Sequence, residues 1–192
     1  NGHIYVDEND RIYTVSENLD DIRLGSVFPK ANMAWRNDFR WRNFNFGFMV
    51  SARLGGVVFS RTQSMLDYYG VSEATAAARD AGGVMINGND LVDANKWYTA
   101  IGGGNSVPQY YTYSATNVRL QEASIGYTIP KKTLGDICEI TLSLVGRNLW
   151  MIYNKAPFDP ETIATTGNYY QGVDYFMSPS MRNIGFNLRV KF

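Results

Sequence analysis

Few residues in this sequence have side chains that could do covalent or metal chemistry. Its 192 residues include one histidine, His3, and one cysteine, Cys138. A single histidine excludes most metal centres and most catalytic arrangements that depend on histidine. A single cysteine excludes a disulfide bond within the chain. His3 has no neighbouring cluster of ligand-type residues, and Cys138 opens a candidate strand on its apolar side. Because apolar surroundings keep a thiol protonated and unreactive, we expect neither residue to be catalytic.

Two groups of carboxylates are the remaining candidates. Phe158-Asp159-Pro160-Glu161 brings two carboxylates close together, a pattern that general acid–base catalysis uses. Proline separates them and no histidine or cysteine partner accompanies them, so a loop-shaping role is favoured. Asp7-Glu8-Asn9-Asp10 resembles the start of a calcium loop, but Arg11 stands at the fifth position and the sixth is not glycine. We expect a solvated acidic turn there, and no catalytic residue, metal or cofactor in the chain.

Aromatic side chains are better candidates for a binding role. The chain has 13 tyrosines, 10 phenylalanines and 4 tryptophans, and several lie in two long stretches that lack strand-like alternation. The candidate ligand-binding residues are Trp97, Tyr110, Tyr111, Tyr113, Tyr169 and Tyr170. Aromatic rings stack on sugar rings, and tyrosine hydroxyls supply hydrogen bonds. The same residues equally suit packing of the loops together or contact with a protein partner, and the sequence leaves these three roles open.

The elements that would position these loops are strands with two unlike faces. At the end of the chain Ile184, Phe186, Leu188, Val190 and Phe192 alternate with polar residues or glycine. Period-two alternation predicts a strand with one apolar and one polar face. Four further stretches follow the same rule, residues 33–41, 44–54, 118–129 and 139–150. In 118–129 the phase changes near Gln121-Glu122, which predicts a β-bulge, because one extra residue flips the alternation.

The less apolar faces of these strands carry arginines, namely Arg36, Arg53, Arg119, Arg147 and Arg189. They would be buried in a sandwich with its polar faces inward, whereas they are tolerated where that face lines a wet lumen and the apolar face meets lipid. The stretches are about 10 residues long, the length of a tilted transmembrane strand. The pattern predicts an all-β fold with about five antiparallel transmembrane β-barrel strands. A soluble sandwich remains the alternative.

Composition and chain organisation agree with this interpretation. Eighteen basic and 18 acidic side chains give zero net charge, which argues against a nucleic-acid binder. No apolar run approaches the roughly 20 residues of a membrane-spanning helix. The predicted segments are a loop over 1–31, a hairpin over 32–59, a long loop over 60–117, a hairpin over 118–150, a loop over 151–181 and a final strand over 182–192. Short helices are expected in the second loop, one over 60–69 and two more that begin at the capping residues Ser72 and Asp93.

An ordered set of short motifs resembles the SusC/RagA type of TonB-dependent outer-membrane transporter. The motifs are Leu24-Gly25-Ser26 with Pro29, Gly55-Gly56-Val57-Val58-Phe59, Asn117-Val118-Arg119-Leu120, Ile125-Gly126-Tyr127-Thr128-Ile129-Pro130, Gly146-Arg147-Asn148-Leu149, Phe158-Asp159-Pro160-Glu161 and Pro179-Ser180-Met181-Arg182 before the final strand. The residues that carry the signature are Gly126, Tyr127, Pro130, Arg147, Asn148, Asp159, Pro160, Glu161, Arg182 and Phe192. The resemblance covers nearly the whole chain.

The resemblance implies that the chain is the C-terminal part of a larger, 22-stranded plugged barrel, with extracellular loops. The plug domain, the segment that TonB grips and the signal peptide would then lie upstream. It also implies a Gram-negative outer-membrane importer of glycans or peptides that works with a SusD-like surface lipoprotein, and no enzyme activity. The alternatives are a soluble carbohydrate-binding β module and a passive porin-type barrel without a plug.

Overall fold

A computed structural model describes residues 4–9, 11–13, 23–164, 167 and 170–192. The chain divides into two compact units. A sheet unit comprises Val27–Gly56, Ser114–Thr162 and Ser178–Phe192, and a loop unit comprises Asn1–Ser26, Val57–Tyr113 and Ile163–Met177. Each unit is therefore assembled from three separate stretches of sequence.

The strands and helices have the following bounds. The strands are β1 Tyr5–Val6, β2 Ile12–Tyr13, β3 Ala31–Trp41, β4 Phe44–Leu54, β5 Val57–Ser60, β6 Val84–Ile86, β7 Asp90–Val92, β8 Thr112–Ser114, β9 Asn117–Ile129, β10 Glu139–Asn154, β11 Val173–Asp174 and β12 Asn183–Lys191. The helices are α1 Arg61–Tyr68, α2 Glu73–Asp80, α3 Ala94–Ile101 and α4 Pro108–Tyr111. None of the helices in the described part of the chain is long and apolar enough to cross a membrane.

The sheet unit is built on five antiparallel strands in the order β12-β10-β9-β4-β3. All five predicted stretches form these strands, so the predicted class, mostly antiparallel β-sheet with a few short helices, is confirmed. The hairpin between β3 and β4 turns at Arg42, whose φ of 53° is left-handed. A short 3-10 helix, Lys131–Leu134, and a left-handed Gly135 link β9 to β10. Both connections are short because the strands that they join are neighbours in the sheet.

The predicted bulge lies where the alternation changes phase. Met49 of β4 faces Glu122 of β9, but the next residue, Val50, faces Leu120, which leaves Gln121 as the extra residue. The Ser51 hydroxyl donates to the Gln121 side-chain oxygen at 3.4 Å, so Gln121 lies on the polar face beside Glu122. The bulge therefore keeps apolar residues on one face of β9 along its whole length.

The loop unit contains the three predicted helices; two begin at the predicted caps Ser72 and Asp93, and the first begins after Ser60, which also acts as a cap. The Ser60 and Ser72 hydroxyls and the Asp93 carboxylate accept hydrogen bonds from the third amide beyond them, each at 3.1 Å. Such a cap contributes about 1 kcal/mol, because it satisfies an amide that has no partner inside the helix. The short helix α4 and the short strands of this unit were not predicted. One of them, β5, pairs with β11 in parallel, so the stretch at 57–59 belongs to a separate strand and not to the β3–β4 hairpin.

The hydrophobic core of the loop unit consists of five buried side chains, Ile86, Val92, Trp97, Ile101 and Tyr111. Helix α3 supplies two of them at helical spacing, and the β6–β7 hairpin supplies two more. Helix α1 packs close to the end of α3, where the Gly103 amide donates to the Ser64 carbonyl and the Ser64 hydroxyl donates to the Gly103 carbonyl, each at 3.1 Å. A side chain at Gly103 would collide with the Tyr68 ring at 2.6 Å, so this approach requires glycine.

Candidate functional site

Two continuous rows of large apolar side chains cross all five strands on one face of the sheet unit. The register aligns Phe39, Phe46, Ile125, Leu144 and Phe186 in one row, and Trp41, Phe44, Tyr127, Leu142 and Leu188 in the next. All of these side chains are exposed, from 41% at Tyr127 to 85% at Phe186. Water-exposed proteins seldom present a contiguous apolar patch larger than a few hundred Å². This face therefore needs an apolar environment or partner.

Within this face the rings pack against one another along and across strands. Phe44 lies edge-on to Tyr127 with ring centroids 4.9 Å apart, and Trp35 lies edge-on to Phe48 at 5.5 Å. Trp41 and Phe44 stack at the turn of the first hairpin, 6.3 Å apart. Rings at strand ends are typical of the aromatic girdles of membrane barrels.

The opposite face of the same strands is polar and charged. Arg36, Glu122 and Arg147 lie in one row across the sheet. The Arg147 guanidinium approaches the Glu122 carboxylate at 3.3 Å and that of Arg36 approaches it at 3.8 Å. Arg36 also contacts Asp38 at 2.9 Å, where both side chains are more than half exposed. The register places Arg36, Arg147 and the Glu122 between them on this face, so opposite charges alternate along the row.

A buried ion-pair cluster lies on this polar face beyond the bulge. Arg119 Nη2 donates to Asp159 Oδ1 at 2.7 Å and approaches Glu161 Oε2 at 3.3 Å. The Arg119 and Asp159 side chains are 5% and 8% exposed. The Ser180 hydroxyl donates to Asp159 Oδ2, and the Glu161 amide donates to Asp159 Oδ1 at 3.1 Å. The cluster thereby ties two loop segments to strand β9.

Hydrogen bonding determines the charge state of Asp159. Burial raises the pKa of its carboxyl, but the hydrogen bonds from Ser180, the Glu161 amide and Arg119 outweigh burial and leave the pKa below the ordinary value. The carboxylate is therefore ionised at neutral pH and fully occupied by structural partners. This arrangement agrees with the loop-shaping role expected from the sequence. The partners Arg119 and Ser180 were missed, because they lie 40 and 21 residues away and carry no local signal.

The ten signature residues all lie in the sheet unit. Gly126 is buried where β9 meets β10, and a Cβ there would lie 2.6 Å from Ser143 Oγ. Asn148 has a left-handed φ of 50° at an irregularity in the pairing of β10, and its amide donates to the Met181 carbonyl at 3.3 Å. Pro130 precedes the 3-10 helix, and Pro160 is fully buried beside Asp159. Arg182 and Phe192 are exposed at the two ends of β12.

The loop aromatics proposed for ligand binding have unlike surroundings. Trp97 and Tyr111 are 6% and 2% exposed and belong to the core of the loop unit, so burial favours the packing role for them. Tyr110 is 44% exposed and lies edge-on to Trp97, with centroids 5.6 Å apart. Tyr113 is half-buried, Tyr170 is 68% exposed, and Tyr169 lies outside the described residues. Accessible rings that the sequence reasoning did not single out are Tyr68, Tyr69 and Phe176.

A buried carboxylate, Asp67, lies among the tyrosines of the loop unit. It is 6% exposed and its Oδ1 accepts a hydrogen bond from Gln63 Nε2 at 2.7 Å. Burial and then the negative charge of Asp67 raise the pKa values of Tyr98, Tyr111 and Tyr113. These phenols therefore stay protonated at neutral pH and can only act as neutral hydrogen-bonding groups.

The acidic turn near the start of the chain has the form expected of a solvated turn. Asp7 Oδ1 accepts hydrogen bonds from the amides of Asn9 and Arg11 at 2.9 and 2.8 Å. Asp10 and His3 lie outside the described residues. Among the residues that are described, no three His, Cys, Asp or Glu side chains come together as a metal site.

Comparison with known proteins connects this geometry to a family. The chain is 25% identical over 97% of its length to TonB-dependent receptor P3 of Formosa agariphila, and it spans 18% of that receptor. No family model matches. Two structures of the RagAB peptide importer, in its open-open and closed-closed states, superpose with TM-scores of 0.68 and 0.66. Each covers 99% of this chain at 14% identity, and the chain spans 20% and 21% of the respective importer chains.

The likeness to the RagAB structures shows a shared fold, and the likeness to the receptor extends along nearly the whole sequence. The chain thus corresponds in length to about a fifth of the relatives that it matches. The resemblance inferred from the motifs is confirmed: this chain is similar to a segment of a SusC/RagA-like TonB-dependent receptor.

Proposed function

We propose that the sheet unit is part of the wall of an outer-membrane β-barrel that imports a nutrient with energy supplied through TonB. One observation carries the proposal: two unbroken apolar rows cross five strands and stay exposed, while charged rows occupy the other face. Hydrocarbon would cover the first face, and a water-filled lumen would accept the second. The similarity to a TonB-dependent receptor supports the same assignment and an outer-membrane location.

The rest of the barrel follows from the hydrogen-bonding needs of backbone in lipid. Strands β3 and β12 are the edges of the described sheet. An open edge leaves amides and carbonyls without partners in hydrocarbon, which costs several kcal/mol per group. Further strands of the same protein would pair with both edges and close a plugged barrel of 22 strands. The charged row formed by Arg36, Glu122 and Arg147 would then face the plug across the lumen.

The partners and the ligand are proposed for the full-length protein, of which this chain would form a part. We propose a SusD-like lipoprotein over the extracellular loops 60–117 and 151–181, and a TonB complex that acts through an upstream segment. The matched importer is named for peptides, whereas the accessible tyrosines of the loop unit suit sugars as well, so both glycans and peptides stand as ligands. Passage would proceed by binding and gating without covalent chemistry, and no enzyme activity is proposed.

The experiment is uptake by cells that express the full-length receptor together with its lipoprotein. Uptake of labelled glycans and peptides should be saturable and should stop when TonB is deleted. Uptake that persists without TonB would favour a passive porin. A full-length protein that fractionates with the aqueous phase would favour the soluble module and reject the barrel. A TonB-box deletion in the receptor is the matched control, since it leaves the barrel itself unchanged.

A further inference from the structure

A cleft among the three longer helices of the loop unit has the composition of a small polar-ligand site. It has a volume of about 160 Å³. At about 30 Å³ for each water of bulk liquid, this volume equals about five waters, which suits one ring-sized group. Its principal lining side chains are Asp67, Tyr68, Tyr69, Arg79, Asn95 and Tyr98.

The acceptor in this cleft is the buried Asp67 carboxylate. Gln63 donates to one of its oxygens, and within the part of the chain that the structure describes no cation pairs with it. An ionised carboxylate out of water is costly unless hydrogen bonds satisfy its lone pairs. The neutral donors beside the carboxylate are the Gln63 amide and the Tyr111 hydroxyl, and two donors fill only part of its roughly four lone-pair sites. A ligand that brings further O–H or N–H donors would therefore be favoured at this position.

The donors in the cleft are the Arg79 guanidinium and the Asn95 amide. Arg79 Nη1 donates to the Gly70 carbonyl at 2.8 Å, which fixes the side chain while its other N–H groups remain for a ligand. The positive charge of Arg79 disfavours an ammonium ligand in the same small space. A cleft with an acidic acceptor and a basic donor suits neutral groups that both donate and accept, and sugar hydroxyls do both.

Aromatic rings complete the wall. Tyr68 and Tyr69 lie edge-to-face with centroids 5.2 Å apart and are 42% and 67% exposed. Tyr98 is anchored by a hydrogen bond from its hydroxyl to the Ala74 carbonyl at 3.4 Å. An apolar ring face beside polar groups matches the two-sided character of a pyranose, with C–H bonds on its faces and hydroxyls at its edge.

We propose that this cleft, which we call the Asp67 cleft, binds one neutral pyranose ring, with Asp67 accepting from hydroxyls, Arg79 and Asn95 donating to them, and Tyr68 and Tyr69 packing on the ring. The proposal deepens the proposed function, because it makes a sugar unit part of what the loops recognise. It assigns the loop unit a binding role that is separate from the charged lumen face.

The test uses the full-length receptor purified in detergent and a panel of neutral methyl hexopyranosides, with n-butylamine as a cationic probe. Binding is followed by saturation-transfer NMR and by titration. At least one glycoside should bind. Asp67→Asn should weaken it about tenfold or more, since a charged acceptor is lost, and Tyr69→Ala about threefold or more. The matched control is Tyr5→Ala, because Tyr5 is also 67% exposed but does not line the cleft, and it should bind as the unmodified receptor does.

Three results would overturn the proposal: no glycoside binds, the Asp67→Asn and Tyr69→Ala variants bind as tightly as the unmodified receptor, or the amine binds in place of the sugars. Because Tyr69 lies on the surface, its variant keeps the test valid even if Asp67→Asn disturbs the fold. TonB-dependent uptake of peptides with no sugar binding would reject the cleft and leave the importer standing. Sugar binding without any TonB-dependent uptake would reject the importer instead.

Discussion

Arg119 on strand β9 donates a 2.7 Å hydrogen bond to Asp159, 40 residues further along the chain, and both side chains are almost fully buried. The pair depends on the bulge at Gln121, because the extra residue sets which face of β9 Arg119 occupies. A local irregularity in one strand thus determines where a loop is attached to the sheet. In the proposed full-length receptor this attachment has measurable consequences.

Removing one partner of this pair should be strongly destabilising. Arg119→Met leaves Asp159 buried without its cation, and we expect a loss of about 3–5 kcal/mol in the free energy of unfolding. Urea unfolding of the receptor in lipid vesicles measures it. Asp38→Asn provides the contrast, since the Arg36–Asp38 pair is more than half exposed and such pairs contribute about 0–1 kcal/mol. Equal losses in the two variants would show that the buried cluster has no special role.

Acid should weaken the attachment of the loop. The pKa of Asp159 is lowered in the folded chain, so the unfolded state binds protons more readily, and the stabilisation is present above the ordinary pKa of 3.8. It is lost as pH falls through the folded-state pKa. The advantage in melting temperature of the unmodified receptor over Asp159→Asn should be constant near neutral pH and shrink below about pH 3.8. An advantage that persists unchanged at lower pH would argue against an ionised Asp159.

The two faces of one strand should tolerate charge differently. Phe186 and Asn187 are neighbours on β12, both exposed, and lie on the apolar and the polar face. Phe186→Arg should cost about 2–4 kcal/mol if it meets hydrocarbon near the middle of the bilayer, whereas Asn187→Arg should cost little. The heat-modifiable mobility of the receptor after folding into lipid vesicles measures assembly. Equal tolerance of the two substitutions is the result that the account does not allow.

Deleting Gln121 should be tolerated, because it is the extra residue of the bulge. The deletion joins Leu120 to Glu122 in regular alternation and leaves Arg119 on the polar face. Deleting Ser124 from the regular part of the strand should instead prevent assembly, because Glu122 then moves to the apolar face. We expect folded receptor in the outer membrane from the first deletion and little from the second. Equal loss of assembly in both variants would mean that Gln121 is not an extra residue in the strand.

Much of the fold could be predicted because it depends on local signals. Alternation located the strands, a change of phase located the bulge, and the capping residues Ser72 and Asp93 located two helix starts. The ion-pair cluster and the ligand cleft were harder to predict than the fold, because they bring together residues that are distant in sequence. The Arg119–Asp159 pair has no local pattern. The burial of Trp97 could have been inferred, since Ala94, Trp97 and Ile101 share one helix face.

The burial of Tyr111 and the exposure of Tyr68 and Tyr69 could not be inferred in this way. Each depends on how α1, α3 and α4 pack together, and sequence period alone does not determine that packing. The Asp67 cleft could not be predicted from the sequence either, because its side chains come from three different helices. Residue types at local spacing indicated the elements, and tertiary packing determined which side chains remained accessible.

The central claim is that one face of the sheet meets lipid while the other meets water, and accessibility along strand β9 tests it most directly. In a Cys138→Ser background, single cysteines at positions 123, 124, 125, 127 and 128 carry a spin label in the receptor reconstituted in lipid. Labels at Ala123, Ile125 and Tyr127 should be relaxed by oxygen, which concentrates in hydrocarbon, and those at Ser124 and Thr128 by a water-soluble nickel chelate. Relaxation without this alternation, or by the chelate at all five positions, would contradict the account.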